Sequence, residues 1–235
     1  MPEEGYRPPE LWCVRRGRVP YAEALREQKT LEAARQAGSV PDLLLLLDHP
    51  PVYTRGRRSE PGELPMGEEW YRAQGIDVVD TDRGGRVTYH GPGQLVGYPI
   101  MSLKPFRDDV HEYIRRMEGA IIAALADVGI AAGPIEGLTG VWTHEPRKIA
   151  SIGVHVSRGV TTHGFAINVN NDLQPFEWIV PCGIDHCRMT SVAKELHAQF
   201  DMDRFMDIVS REFGVAYTRL PVPQDGLIVA SAKAA

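Results

Sequence analysis

The chain has 235 residues, with 26 Lys plus Arg against 31 Asp plus Glu, a formal charge of −5 and 43% apolar residues. The apolar content is too high and the net charge too small for a disordered chain, and a slightly acidic balance argues against a general nucleic-acid binder. The length is ample for one well-buried core.

In chain order, a helix is expected over 21–37, which follows Pro20, is rich in Ala, Glu and Leu, and stops at Gly38. A strand follows at 42–48. The segment 55–68 (RGRRSEPGELPMG) is polar, rich in Gly and Pro and without periodicity, so it reads as one long surface loop. Strands are predicted at 76–80, 86–90 and 94–101. Residues 109–128 form the second helix: Val110, Tyr113, Ile114, Met117, Ile121, Leu125 and Val128 recur at steps of three and four, and Gly129 ends the run. Further strands are predicted at 140–144, 148–156 and 160–169, the last two joined as a hairpin by Ser157-Arg158-Gly159. A third helix covers 202–213 with Phe205, Ile208, Val209 and Phe213 inward. Few helices against many strands, without regular alternation, predict an α+β fold with a mixed β-sheet flanked by helices. A doubly wound parallel sheet would need more crossover helices. Residues 11–223 are expected to form one domain between loose tails at 1–10 and 224–235.

Three cysteines, with no CxxC pair, point to free thiols in a reducing compartment. The N-terminal MPEEGYRPPE is acidic and Pro-rich, the opposite of a signal peptide, and the most apolar stretches are too short or too interrupted to span a bilayer. A cytoplasmic protein without membrane attachment is expected. Cys182, His186 and Cys187 lack the spacing of a zinc site, and no G-x-S-x-G elbow occurs, so neither a metal centre nor a serine hydrolase is predicted.

Four segments can carry chemistry. In Arg83-Gly84-Gly85-Arg86-Val87-Thr88-Tyr89-His90-Gly91-Pro92-Gly93, two glycine-dense turns bracket a strand-like piece, either as tight turns of a β-meander or as backbone that approaches a ligand closely. It is not a dinucleotide fingerprint, because a strand and not a helix follows. Lys148-Ile149-Ala150-Ser151-Ile152-Gly153 is an apolar, small-residue strand opened by a lysine. Strict alternation puts Lys148, Ala150 and Ile152 on one face; a lysine that opens such a strand lies either close to a pocket floor or, the commoner case for one taken alone, at the strand end with its amine in water. In Thr162-His163-Gly164-Phe165-Ala166, Gly164 and Ala166 share a face and leave a slot, for a ligand or for close packing. In Val180-Pro181-Cys182-Gly183, a cysteine sits in a tight turn. A lone cysteine is more often inert than reactive, because a thiolate needs a positive or proton-accepting neighbour. Cys13 and Cys187 are assigned no role.

Together these segments resemble the lipoyl(octanoyl) transferases, the lipoate-protein ligase B family. The matching pieces are His49-Pro50-Pro51-Val52-Tyr53-Thr54, RGGRVTYHGPGQLVGYP at 83–99, KIASIGV at 148–154, THGFAINVNNDL at 162–173 and IVPCG at 179–183, in order across roughly 40–195. The resemblance implies the fold of the catalytic domain of biotin and lipoate protein ligases, no cofactor, and transfer of an octanoyl or lipoyl group from acyl carrier protein to a specific lysine. The acceptors it implies are lipoyl domains of 2-oxoacid dehydrogenase complexes and the glycine cleavage H protein. It also implies that Cys182 carries the acyl group as a thioester, that Lys148 is its catalytic partner, and that the acyl group lies against Arg83–His90, Ser151, Ile152, Gly153, Gly164, Phe165 and Ala166.

Such a reaction exchanges a thioester for an amide and runs downhill without ATP. Cys182 must attack as thiolate although a free thiol has a pKa of about 8.5, and an ammonium beside it favours that form. Lys148 is expected to protonate the departing carrier thiol and later to accept a proton from the attacking amine. Backbone N–H groups around Cys182-Gly183 are the expected oxyanion donors. His90 and His163 are candidates to assist, or simply orient the pocket wall. Val87, Tyr89, Ile152, Gly153, Phe165 and Ala166 are the expected lining of an apolar slot. An acidic carrier requires a basic docking surface, for which Arg15, Arg16 and Arg18 form one cluster and Arg55, Arg57 and Arg58 another; either can equally be a solvated face. The alternatives are an ATP-dependent lipoate or biotin ligase of the same fold, which needs no cysteine nucleophile, and a non-catalytic module that binds acyl carriers or lipoyl domains, which needs neither Lys148 nor Cys182.

Overall fold

The structure, a computed structural model, describes residues 7–180 and 188–224. Its strands are β1 (Glu10–Arg18), β2 (Asp42–Asp48), β3 (Val52–Arg55), β4 (Asp77–Asp80), β5 (Thr88–His90), β6 (Gln94–Ile100), β7 (Ala132–Ile135), β8 (Leu138–Thr143), β9 (Arg147–Ser157), β10 (Val160–Asn168), β11 (Arg188–Met189) and β12 (Leu220–Gln224). Its α-helices are α1 (Tyr21–Gln36), α2 (Glu68–Ala73), α3 (Val110–Asp127), α4 (Val192–Leu196) and α5 (Met202–Tyr217).

The larger sheet runs β12-β1-β2-β6-β10-β9-β8-β7, with β11 added beside the start of β9. Its first three strands are parallel and the rest of the path is antiparallel, so the sheet is mixed. The β9–β10 hairpin turns through Arg158 and Gly159, both at positive φ. β2 (DLLLLLD) is apolar at every interior position because both faces are covered. Leu44 and Leu46 join the core under α3 and α5, while Leu43, Leu45 and Leu47 join the core under α1. A second sheet, β4-β3-β5, builds a third cluster around Tyr53, Tyr71, Tyr89 and Phe176.

The three expected helices appear with small boundary changes. Asp109 caps α3, accepting from the N–H of His111 at 2.8 Å and of Glu112 at 3.1 Å. α5 runs past residue 213 to Tyr217, and Gly214 lies within it as a close contact with the following strand: a Cβ there would lie 2.7 Å from Pro221 Cδ. The expected strands are also present, but β1, β3, β7, β11 and β12 were not among them. β1 and β12 pair in parallel from Glu10 opposite Leu220 to Val14 opposite Gln224, so each of these two strands takes in one residue expected in a tail.

Candidate active site

Ser151 and Gly153 on β9 pair with Ala166 and Gly164 on β10, so four small residues lie side by side on the α1 face of the sheet. The glycine-rich segment crosses this bare strip. Gly84 N–H donates to Val154 O at 2.9 Å, and a Cβ on Gly153 would come within 2.7 Å of Gly84 O. Arg83 is buried, and its guanidinium holds the segment in place. Nη2 donates to Thr54 O (2.6 Å) and Arg86 O (2.8 Å), and Nη1 donates to Gly84 O (3.0 Å). The loop after β3 is tied to the same segment by Arg57 N–H to Arg83 O (2.9 Å) and Arg58 N–H to Gly85 O (3.0 Å).

Between strip and segment lies a pocket with about 510 Å³ of open space, mouth included. Arg83, Gly85, Arg86, Val87, Thr88 and His90 border it on one side, and Lys148, Ser151, Ile152, Gly153, Gly164, Phe165 and Ala166 on the other. Lys148, Gly85, Arg86 and Ile152 also border an outer groove, so they mark the mouth. Tyr21, Tyr98, His90 and His163 are buried and mark the closed end.

Lys148 is only 4% exposed, which overturns its reading as a strand-end lysine with its amine in water. The face predicted for it also changes. Val141 pairs with Ala150 but Trp142 pairs with Lys148, a one-residue register shift that breaks alternation. Lys148 therefore borders the pocket with Ser151 and Gly153, while Ala150 and Ile152 pack into the core under α3 and α5. Its ammonium sits 5.2 Å from the centre of the Trp142 ring. Its stem crosses Gly140, where a Cβ would lie 2.7 Å from Lys148 Cε. Neither Trp142 nor Gly140 was singled out in the sequence; only the strand pairing brings them to the lysine.

The closed end is polar in composition, but its hydrogens are turned away from the pocket. His49 Nδ1–H donates to Val19 O at 2.6 Å, leaving Nε2 to accept from the Tyr98 hydroxyl at 2.7 Å. His163 Nε2–H donates to Asp82 at 2.6 Å, and its Nδ1 faces the Tyr21 hydroxyl at 3.4 Å. His90 Nδ1–H donates to Gln94 Oε1 at 2.8 Å, since the Gln94 amide donates to Tyr89 O and Asn168 Oδ1. Burial pushes His49 and His163 down to about 4 and His90 well below its ordinary value, so all three rings are neutral near pH 7. The Tyr21 hydroxyl is pushed up to about 12 by burial. Burial opposes the charge of Asp82, but hydrogen bonds from His163 and Lys29 outweigh it and hold the carboxyl below its usual range. A wall whose donors are satisfied within the protein can face an alkyl chain without stranding them.

Some predicted contacts are corrected. Tyr89 faces away from the pocket, because Thr88 and His90 alternate toward it; its ring packs on Tyr53 and Phe176. Gly84 backs the wall through its contact with Gly153 and does not border the pocket. Phe165 has its ring stacked on Phe213 across the sheet and so borders the slot from its backbone side. The basic clusters are largely engaged: Arg15 pairs with Asp207, Arg16 with Glu27, Arg18 with Asp48, and Arg55 with Asp80 and Glu68. Cys182 lies outside the described residues, as does Cys187.

The family model described as the lipoyl protein ligase A/B catalytic domain matches residues 20–214. An octanoyltransferase of Koribacter versatilis is 43% identical over 224 residues, covering 89% of each chain. One of Solibacter usitatus is 51% identical over 190 residues, covering 80% of this chain and 86% of the relative. The chain belongs to the lipoyl protein ligase A/B family, among its lipoyl(octanoyl) transferases. It is an acyltransferase.

Solved structures agree on the fold of this family. The bi-partite lipoate protein ligase of Thermoplasma acidophilum superposes with a TM-score of 0.74 at 17% identity, over 97% of this chain and 91% of that one. The biotin protein ligase of Aquifex aeolicus gives 0.52 at 14% identity, over 89% and 69%. In this lipoyl(octanoyl) transferase, no helix among the described residues is long and apolar enough to cross a membrane. Nor does any group of three or more His, Cys, Asp or Glu among them form a potential metal site.

Proposed function

We propose that residues 11–223 act as one cytoplasmic catalytic domain that moves an octanoyl group from acyl carrier protein to a lysine of lipoyl domains, through a thioester on Cys182. The acceptors in this reading are the lipoyl domains of 2-oxoacid dehydrogenase complexes and the glycine cleavage H protein. The observation that supports it most is the position of Lys148 in the pocket wall, with both flanks of the 181–187 segment held nearby. Val180 N–H donates to Glu63 O at 3.1 Å, and the Glu63 carboxylate takes Arg86 (2.8 Å) and Val87 N–H (3.2 Å). On the other side, Arg188 and Met189 pair with Arg147 and Lys148.

In the first half-reaction the Cys182 thiolate attacks the carbonyl of the donor thioester. The carrier sulfur leaves and takes a proton from Lys148. In the second, the neutral amine of the acceptor lysine attacks the acyl-cysteine, the amide forms, the thiolate is regenerated, and Lys148 takes back one proton. An acceptor amine has a pKa of about 10.4, so it arrives as ammonium and loses its other proton to water. The octanoyl chain lies on the strip formed by Ser151, Gly153, Gly164 and Ala166.

Intact mass measured after incubation with octanoyl-carrier and no ATP tests this. A single acyl adduct is expected, absent in Cys182→Ser. Transfer that proceeds only with ATP and without an adduct would establish the ligase chemistry instead.

A further inference from the structure

We propose that the groove outside the pocket mouth is a subsite for the phosphate-bearing arm of the thioester donor, with Arg58 as the phosphate ligand; this rests on the acyl-transfer reading above. The groove is bordered by Arg58, Gly85, Arg86, Leu138, Thr139 and Lys148, and it shares Gly85, Arg86, Lys148 and Ile152 with the acyl pocket. A donor whose acyl chain fills the inner pocket has its carbonyl near Lys148. The group on the far side of sulfur must then leave through this groove. In carrier proteins and in coenzyme A that group is a pantetheine, two amides followed by a phosphate. Gly85 and residues 137–139 line the groove beside the pocket mouth, where such amides would lie, and the guanidinium of Arg58 borders the same groove.

Two of the neighbouring arginines are already engaged, and Arg57, exposed like Arg58, does not border the groove. Arg86 binds Glu60 and Glu63, both at 2.8 Å, and Arg55 binds Asp80 at 2.6 Å and Glu68 at 2.7 Å. Arg58 is exposed, and among the described residues its guanidinium has no ion pair or hydrogen bond. Its backbone is nevertheless fixed, by the 3.0 Å bond to Gly85 O and by contact of Gly56 with Gly85 too close for a Cβ. A guanidinium presented from a fixed backbone suits the fork geometry of a phosphate.

The test compares kcat/KM for octanoyl-carrier, octanoyl-CoA and octanoyl-pantetheine, which lacks the phosphate, in the unaltered enzyme and in Arg58→Ala. The unaltered enzyme is expected to prefer both phosphate-bearing donors over octanoyl-pantetheine, and Arg58→Ala to shrink both preferences about tenfold. Equal use of all three donors by the unaltered enzyme overturns the proposal, and so do preferences unchanged in Arg58→Ala. A loss confined to the carrier also overturns it, because Arg58 would then touch the carrier's body and not the shared phosphate. Transfer that persists in Cys182→Ser would remove the thioester reading while leaving this comparison intact.

Discussion

At the scale of single residues, the proposed chemistry turns on how Lys148 is delivered to the pocket. A buried ammonium is costly unless something faces it, and here the Trp142 ring does so at 5.2 Å. Lys148→Ala is expected to lower kcat by about 10²- to 10⁴-fold, the usual contribution of a positioned acid–base group, while the melting temperature holds. Lys148→Arg should not restore activity, because a guanidinium does not give up its proton in proteins. Full turnover in either variant would refute the role. Gly140 makes a second, sharper case. It lies at φ 130°, and a Cβ there would come within 2.7 Å of both Ala150 O and Lys148 Cε. Gly140→Ala is therefore expected to lower both kcat and the melting temperature, read from steady-state kinetics and a thermal melt. Lys148 was legible from its motif, but its environment was not. Alternation assigned it to the wrong face, because a register shift between two strands is a property of their pairing and leaves no mark in either strand alone.

Among the elements, the ones with a strong local period were readable and the ones defined by distant partners were not. The 109–128 helix carries an apolar stripe and an aspartate cap, and both are local. β1 contains three arginines and β12 two prolines; β1 is held as a strand by β2 on one side and β12 on the other, and β12 by β1 alone, from the other end of the chain. α1 was readable as a helix, but not for its inward polar side chains: Gln28 Oε1 accepts the N–H of His163 at 2.8 Å, and Tyr21 closes the pocket. The slot itself was half legible, since small residues at alternate positions of one strand suggest a gap without saying what covers it. The cover is the 83–86 segment, which packs on Gly153. Gly153→Ala should push this segment outward, raising KM for the octanoyl donor several-fold and lowering the melting temperature modestly. Unchanged KM would show that the segment does not shape the acyl site.

Across the whole molecule, the closed end of the pocket couples stability to pH. His49 and His163 have folded-state pKa values of about 4 against about 6.5 for an unfolded histidine, and His90 is shifted the same way, in each case chiefly by burial. A lowered histidine pKa means that the unfolded chain binds protons which the folded chain refuses. The stabilisation from keeping these rings neutral is fully present above about pH 6.5 and disappears as pH falls toward 4. Asp82 works over a lower range: its carboxylate, held by His163 and Lys29, contributes above the ordinary aspartate value and is lost only in stronger acid. The first window therefore belongs to the histidines. A shift of that size corresponds to roughly 3 kcal/mol per ring at its lower end, so two such rings alone can remove a large share of a domain's stability. Urea unfolding at constant ionic strength from pH 7.5 to 4.5 should show a midpoint that is flat above pH 7 and falls steeply below 6.5. His90 and His163 border the bottom of the pocket, so acid should loosen the proposed acyl site as it loosens the fold. Octanoyl transfer measured after brief exposure to pH 5 and return to neutral pH should recover in proportion to the chain that refolds. A midpoint constant down to pH 4.5 would mean that the folded rings take up protons over the same pH range as the unfolded ones, so that neither burial nor the hydrogen bonds from Tyr21 and Tyr98 hold them neutral.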